Sequence, residues 1–116
     1  MKENIIKEKS FSFSLDIIIL YKELIKNNEY IISKQLLRSG TSIGANIFES
    51  IAAQSRKDFL SKISIASKEA NETKYWLLLL NESKLVKLNY SQILNKVEEI
   101  IKILASIVKT TQSIKQ

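Results

Sequence analysis

The chain is short and basic and lacks cysteine, histidine and proline, which excludes most catalytic and fold classes. It has 116 residues, a formal charge of +6 and 45% hydrophobic residues, which suits one folded domain. Without Cys and His it has no disulfide, no thiol nucleophile, no ordinary zinc site and no neutral-pH general base. With no Pro and only two Gly, the turns of an all-β fold are hard to build. We therefore expect an all-α domain that is not an enzyme and holds no metal or cofactor.

The positive charge permits an anionic partner without requiring one. Ile, Lys, Ser and Asn make up half of the chain, a bias typical of AT-rich codons. Arg, which suits bidentate contacts to phosphates and bases, occurs only twice. No segment approaches the roughly 18 apolar residues that span a bilayer, and the N-terminal segment has no signal-peptide pattern. We expect a cytoplasmic protein without a membrane partner.

The first half of the chain predicts two helices. Apolar residues repeat at spacings of three and four over 11–26, with Ser10 as the expected N-cap. Asn27 and Asn28 interrupt this pattern. Asn is common at both ends of helices, so one of the two is suited to end the first helix and the other to cap the start of the second. The second helix is predicted over 29–54.

The second half predicts two more helices. Ser55 and Asp58 have the spacing of a capping box at the start of a helix over 56–82, and a fourth helix is predicted over 90–112. Short connections between long helices favour antiparallel neighbours. The pattern therefore predicts an up-down-up-down four-helix bundle. Buried strands at 17–20 and 76–80 are the weaker alternative, because each run lies inside a longer helical pattern.

The third helix is apolar on nearly every side near its end. Tyr75, Trp76 and Leu79 flank the core stripe there, whereas a lone bundle buries one stripe per helix. Exposed together, they would form a patch typical of an interface, so we expect self-association. The alternative is that the connection to the fourth helix covers them.

Gly40 and Gly44 lie one turn apart inside the second predicted helix, where each costs roughly 1 kcal/mol relative to Ala. Close approach of another helix backbone explains them, within the chain or across an interface. A helix break near Ser39 is the alternative. A phosphate loop is excluded because no Lys follows Gly44 and no strand precedes it.

Two strings of the sequence resemble a known family. The strings are SKQLLRSGTSIGAN at 33–46 and the segment from Asp58-Phe59 to Tyr75-Trp76-Leu77. They are similar to the bacterial four-helix proteins called 23S rRNA-intervening sequence proteins, and the similarity covers about residues 5–107. That family is related to the accessory variability determinant proteins of diversity-generating retroelements. The resemblance implies a homopentamer of four-helix protomers. The retroelement relatives use a basic assembly surface to bind nucleic acid and a reverse transcriptase, which makes both of these candidate partners of this chain.

Four carboxylates are the only candidates for metal chemistry. Glu69 and Glu72 match half of the paired E-x-x-E and E-x-x-D motifs by which all-α nucleotide pyrophosphatases hold magnesium. Glu98 and Glu99 would supply the other half, but Ile101 stands where the next acid is needed. A magnesium-dependent pyrophosphatase is therefore a remote alternative.

The basic side chains carry the main functional hypothesis, although a single lysine is usually only a solvated surface residue. Copied by symmetry in an oligomer, a charge of +6 becomes large enough to attract RNA or DNA without reading its sequence. We expect a non-enzymatic oligomeric scaffold that binds nucleic acid, with RNA favoured. The alternative is a protein-interaction scaffold for a partner such as a reverse transcriptase. The candidate nucleic-acid-binding residues are Lys22, Lys26, Arg56, Lys57, Lys62, Lys102 and Lys109.

Overall fold

The computed structural model describes residues 2–113, with side chains from residue 4. Within this range the chain forms four α-helices and no strand, which confirms the all-α prediction; the alternative of strands at 17–20 and 76–80 is wrong. The helices are α1 (Lys2–Lys26), α2 (Ile32–Ile51), α3 (Arg56–Ser83) and α4 (Ser91–Ser113). Each helix packs against its neighbours in the chain, and α1 also packs against α4.

One hydrophobic core runs along the bundle, and all four helices contribute to it. Phe13, Leu36, Leu77 and Leu104 represent the four helices, and each is at most 1% exposed. Burying each such side chain stabilises the fold by about 1.5–3 kcal/mol. Within each helix, the buried residues follow the spacing of three and four that the apolar residues show in the sequence, so the sequence predicts which positions are buried.

The first helix begins well before the predicted start. Ser10 is not an N-cap: it is 1% exposed inside α1, and its hydroxyl donates to the Lys7 carbonyl at 3.1 Å. The core stripe extends back to Ile6, which is 1% exposed. The backbone of α1 at Ser10 comes close to α2 at Gly44. A Cβ on Gly44 would lie 3.3 Å from the Ser10 carbonyl oxygen.

Asn28 ends α1 in the left-handed conformation, with φ of 64°. Its N–H donates to the Ile25 carbonyl, and the Glu29 N–H donates to the Leu24 carbonyl, both at 2.9 Å. This pattern is a Schellman motif, in which Asn tolerates the left-handed position.

Glu29 caps α2 from outside the helix, so α2 begins at Ile32 and not at the predicted residue 29. Glu29 is only 8% exposed. Its carboxylate accepts from the N–H groups of Ile31, Ile32 and Ser33 at 3.1, 3.0 and 2.6 Å. These are donors of the first turn that no intrahelical carbonyl can reach. A carboxylate also suits the positive end of the helix dipole.

The remaining helix ends lie within three residues of the predicted bounds, and the start of α3 at Arg56 is as predicted. α2 ends at Ile51 instead of 54, because Ala52 leaves the helix and its N–H donates to the Glu49 carbonyl at 3.1 Å. The predicted cap of α3 is confirmed: the Ser55 hydroxyl accepts from the Asp58 N–H at 3.0 Å. α3 continues to Ser83 and α4 spans 91–113, against predicted ends at 82 and 90–112.

Small residues on α2 let neighbouring helices come close. α2 is continuous through Gly40, so the alternative of a helix break is wrong. A Cβ on Gly40 would lie 2.8–3.0 Å from three side-chain atoms of Ile17 on α1. On the opposite side, the buried Thr73 hydroxyl of α3 donates to the Ser39 hydroxyl at 2.9 Å. Both contacts fix the position of α2 between its neighbours.

Candidate functional site

Most acidic side chains of the described residues are held by cations of the same chain. The Lys96 ammonium lies 2.7 Å from a carboxylate oxygen of Asp16, which joins α4 to α1. Arg38 on α2 bridges to two glutamates of α3. Together with the buried Glu29, these pairs remove acidic groups from the free surface. The paired acids are Asp16, Glu23, Glu49, Glu69, Glu72, Glu98 and Glu99.

A second set of side chains consists of lysines that point into solvent without an acidic partner. Each is exposed, and among the described residues none of them forms an ion pair or a hydrogen bond. The unneutralised charge of the surface is therefore mainly ammonium. We call these residues the unpaired lysines: Lys22, Lys34, Lys57, Lys68, Lys84, Lys87 and Lys109.

Three of the seven predicted nucleic-acid-binding residues belong to this set: Lys22, Lys57 and Lys109. Lys102 is exposed too, but it interacts electrostatically with Glu98 on the same helix. Arg56 is exposed at the first position of α3. The other members of the set, which the prediction did not include, are Lys34, Lys68, Lys84 and Lys87.

Two of the predicted residues are partly neutralised. Lys26 lies 3.8 Å from a carboxylate oxygen of Glu23. Lys62 donates to Glu49 at 2.9 Å, and this hydrogen bond raises the pKa of Lys62. The internal partner makes Lys62 a weaker phosphate ligand than a lysine without one.

The candidate residues lie toward both ends of a molecule that is 51 Å long. The connections 27–31 and 84–90 meet, since residues of both line one small cleft, so Lys22 and Lys26 lie toward that end. α2 starts there and its 20 residues span about 30 Å, which puts Arg56 and Lys57 at the other end. A single protomer therefore does not join the seven residues into one patch.

The four candidate metal ligands are each paired with a cationic side chain, and three different cations hold them. Glu69 and Glu72 both contact Arg38, with 3.2 Å between an Arg38 nitrogen and Glu69, and the Trp76 indole N–H donates to Glu72 at 3.0 Å. Glu98 is paired with Lys74, which lowers the pKa of Glu98. Glu99 lies 3.2 Å from Lys9. Over residues 4–113 no three acidic side chains converge to hold a metal ion.

The predicted interface residues divide into a buried and an exposed set. Gly40 and Gly44 lie in the α1–α2 contact, so intramolecular packing accounts for both. Trp76 is half-buried and its indole N–H is satisfied within the chain. Tyr75 is 57% exposed and Leu79 36% exposed. The connection from α3 to α4 therefore leaves both of them uncovered.

A larger apolar surface, which sequence reasoning missed, lies between α1 and α2. Phe11, Leu15 and Ile18 form one wall and Phe48 the other, around an open groove of about 950 Å³. The signal was present in the sequence, because positions 11, 15 and 18 repeat at i, i+4 and i+7. It was overlooked because α1 already has one such stripe in the core. No helix within residues 2–113 has the length and apolar character needed to cross a membrane.

The comparisons with known proteins agree with this architecture. One solved structure is 52% identical, with a TM-score of 0.90, and covers 94% of this chain and 99% of its own. It is described as a protein of unknown function from the S23 ribosomal protein family of Bacteroides thetaiotaomicron. No curated protein sequence matches the chain. A family model described as 23S rRNA-intervening sequence protein matches residues 2–106, so the chain belongs to that family.

Proposed function

We propose that this protein is a non-enzymatic, oligomeric four-helix scaffold of the cytoplasm that binds nucleic acid, RNA in particular, without reading its sequence. The observation that carries the proposal is the contrast between the acidic and basic side chains. The acids are largely held in internal ion pairs and one helix cap, whereas the unpaired lysines are free to contact phosphates. Such contacts give affinity that depends on salt and not on sequence.

The side chains also favour non-specific over specific binding. Reading a base edge in a groove usually takes Arg, Asn or Gln in a fixed bidentate geometry. The chain has only two arginines, and Arg38 is held by Glu69 and Glu72. Lysine acts instead as a mobile point charge on the phosphate backbone.

Assembly is the second part of the proposal. The candidate residues are spread over a protomer, and a cyclic oligomer would bring those of neighbouring protomers side by side. Family membership favours the homopentamer that the sequence resemblance implies. The up-down-up-down order of helices is supported by the contacts between neighbours. Position 44 of α2 lies beside Ser10 and position 40 beside Ile17, so residue numbers fall along α2 as they rise along α1. Lys62, near the start of α3, meets Glu49, near the end of α2.

The test is fluorescence anisotropy of a labelled structured RNA titrated with protein at low and near-physiological salt. We expect binding at low salt that weakens strongly as salt rises. Lys109→Gln should reduce the slope of log K against log salt by about 0.7–0.9. Lys96→Gln is the matched control. Lys96 is also an exposed lysine of α4, but its ammonium group is paired with Asp16. Equal losses in both variants, or no binding at low salt, would contradict the proposal.

A protein-interaction scaffold is the second candidate, and the exposed apolar residues near one end of the bundle favour it. Tyr75, Leu79 and Ile31 are 57%, 36% and 77% exposed. A partner such as a reverse transcriptase would then bind with little salt dependence, and the lysines would serve solubility. A reverse transcriptase gene beside this one favours this candidate, whereas a location inside a ribosomal RNA gene favours RNA binding.

A further inference from the structure

The groove between α1 and α2 is a broad apolar feature of the described surface, with a volume of about 950 Å³. Its floor is formed by small residues, Gly44 and Ala45 among them, and its walls carry Phe11 and Phe48. The two rings are 66% and 65% exposed, which is unusual for phenylalanine in a protein of this size. A floor of small residues between two aromatic walls can receive a bulky side chain from another molecule.

The area of this surface is comparable with what an interface requires. Two phenylalanines exposed by two thirds offer about 250 Å², and Leu15 and Ile18, exposed by 49% and 38%, add about 150 Å². A patch of about 400 Å² is as large as the largest apolar patch of a typical soluble monomer, and such patches are often functional. It is also about half of the roughly 800 Å² that each partner buries in a standard interface.

The charges around the groove decide which kind of partner fits. Lys7 and Glu8 stand next to each other on one side, and Glu49 stands on the other. The Lys7 ammonium lies 5.2 Å from the centre of the Phe48 ring, and Glu8 forms no ion pair among the described residues. A rim that carries both signs does not attract a polyanion. It is complementary to a surface with the same mixture of charges, which a second copy of the chain supplies.

We propose that the α1–α2 groove is where a second copy of this chain docks, with its bulky apolar side chains seated between Phe11 and Phe48. This inference rests on the oligomeric part of the proposed function and names the surface that assembles. It places the contact on α1 and α2, whereas the sequence pattern pointed to Tyr75, Trp76 and Leu79 on α3. The unpaired lysines of α3 and α4, such as Lys68 and Lys109, then stay accessible to nucleic acid.

The test is the molar mass of the full chain by light scattering and sedimentation velocity over a range of concentrations. Phe11→Asp and Phe48→Asp should each weaken association by about 30-fold or more, as expected for an anchor residue in a desolvated contact. Ile19→Asp is the matched control, because Ile19 is on the same helix and 63% exposed but lies outside the groove. This variant should keep the mass of the unaltered protein. Thermal unfolding followed by circular dichroism shows whether each variant is folded.

A second measurement does not depend on a disruptive substitution. The chain has no cysteine, so Ala45→Cys introduces a single thiol at the groove floor. Its reaction with a maleimide should slow at least tenfold when the protein is concentrated enough to assemble. An unchanged rate on assembly would overturn the assignment of this groove.

The outcomes separate this inference from the function proposed above. If the unaltered protein assembles but both Asp variants keep its mass, the groove is not the contact and the oligomeric scaffold stands. If the unaltered protein is monomeric at every concentration, the groove inference and the oligomeric scaffold both fail. Loss of RNA binding alone would leave the groove inference intact.

Discussion

Replacing Gly40 by alanine should destabilise the protein, although alanine is the better helix former. In a helix interior the change from Gly to Ala contributes about 1 kcal/mol of stability. Here the added Cβ would lie 2.8 and 2.9 Å from Cγ1 and Cγ2 of Ile17 and 3.0 Å from its Cδ1. Two of these three atoms are bonded to the Cβ of Ile17, so they cannot move away without a new rotamer or a shift of α1.

The magnitude follows from the lack of free space around Ile17. This side chain is 0% exposed and belongs to the core cluster, so a new rotamer would displace other core residues. Overpacking a well-packed core by one methyl group costs about 1–3 kcal/mol. After the gain of about 1 kcal/mol in helix propensity is subtracted, Gly40→Ala should lower the free energy of unfolding by up to about 2 kcal/mol.

The sign should reverse when Ile17 is truncated. Ile17→Ala alone removes all three close atoms and costs about 2–5 kcal/mol through the cavity that it leaves. In that background Gly40→Ala meets no contact from position 17 and fills part of the cavity, so it should stabilise by about 1 kcal/mol. Urea unfolding followed by circular dichroism measures all four proteins, at one fixed protein concentration because the proposed assembly would make stability depend on concentration.

Gly44→Ala provides a graded comparison in the same helix. Its Cβ would lie 3.2 Å from the Ser14 hydroxyl, which can rotate, and 3.3 Å from the Ser10 carbonyl oxygen, which cannot. We expect a smaller loss than at Gly40. If Gly40→Ala has the same sign in both backgrounds, or stabilises the unaltered protein, the close α1–α2 approach is not what requires glycine.

Two further predictions concern charged groups. Glu29→Ala should lower the free energy of unfolding by about 2 kcal/mol, because it removes a buried carboxylate that accepts from three backbone N–H groups at 2.6–3.1 Å. Glu29→Gln should lower it less, and urea unfolding measures both variants. The ion pair with Lys74 lowers the pKa of Glu98, so its stabilising effect is present at neutral pH and is lost as the pH falls through that pKa. Lys74→Met should therefore raise the pKa of Glu98 in an NMR titration of its carboxyl carbon, and an unchanged value would contradict the pairing.

Much of the fold was predictable because local signals and the core pattern agree. The Ser55 cap depends on a side chain and a backbone N–H three residues apart, so four residues of sequence contain it. The start of α1 was not predictable in this way. Ser10 has the residue type of an N-cap, but Ile6 packs into the core one turn earlier and continues the helix. Tertiary burial overrode the local preference.

The candidate site was less predictable, because whether a lysine is free depends on other helices. Lys96 and Lys109 look alike in the sequence, yet only Lys96 meets an acid, Asp16, which is 80 residues away along the chain. The composition gives the net charge and says nothing about which ammonium groups are neutralised. That distinction requires the relative positions of α1 and α4.

The sequence by itself determined the number of helices, their approximate bounds, the core face of each and the family. These properties depend on spacing along one chain segment, where the helical period fixes which side chains share a face. The tertiary structure alone decided which charges are free and which second apolar stripe is left uncovered. α2 covers Ile17 and leaves Phe11 exposed, although both belong to α1 and both are apolar. Which stripe is buried depends on where the neighbouring backbone lies, and Gly40 sets that distance.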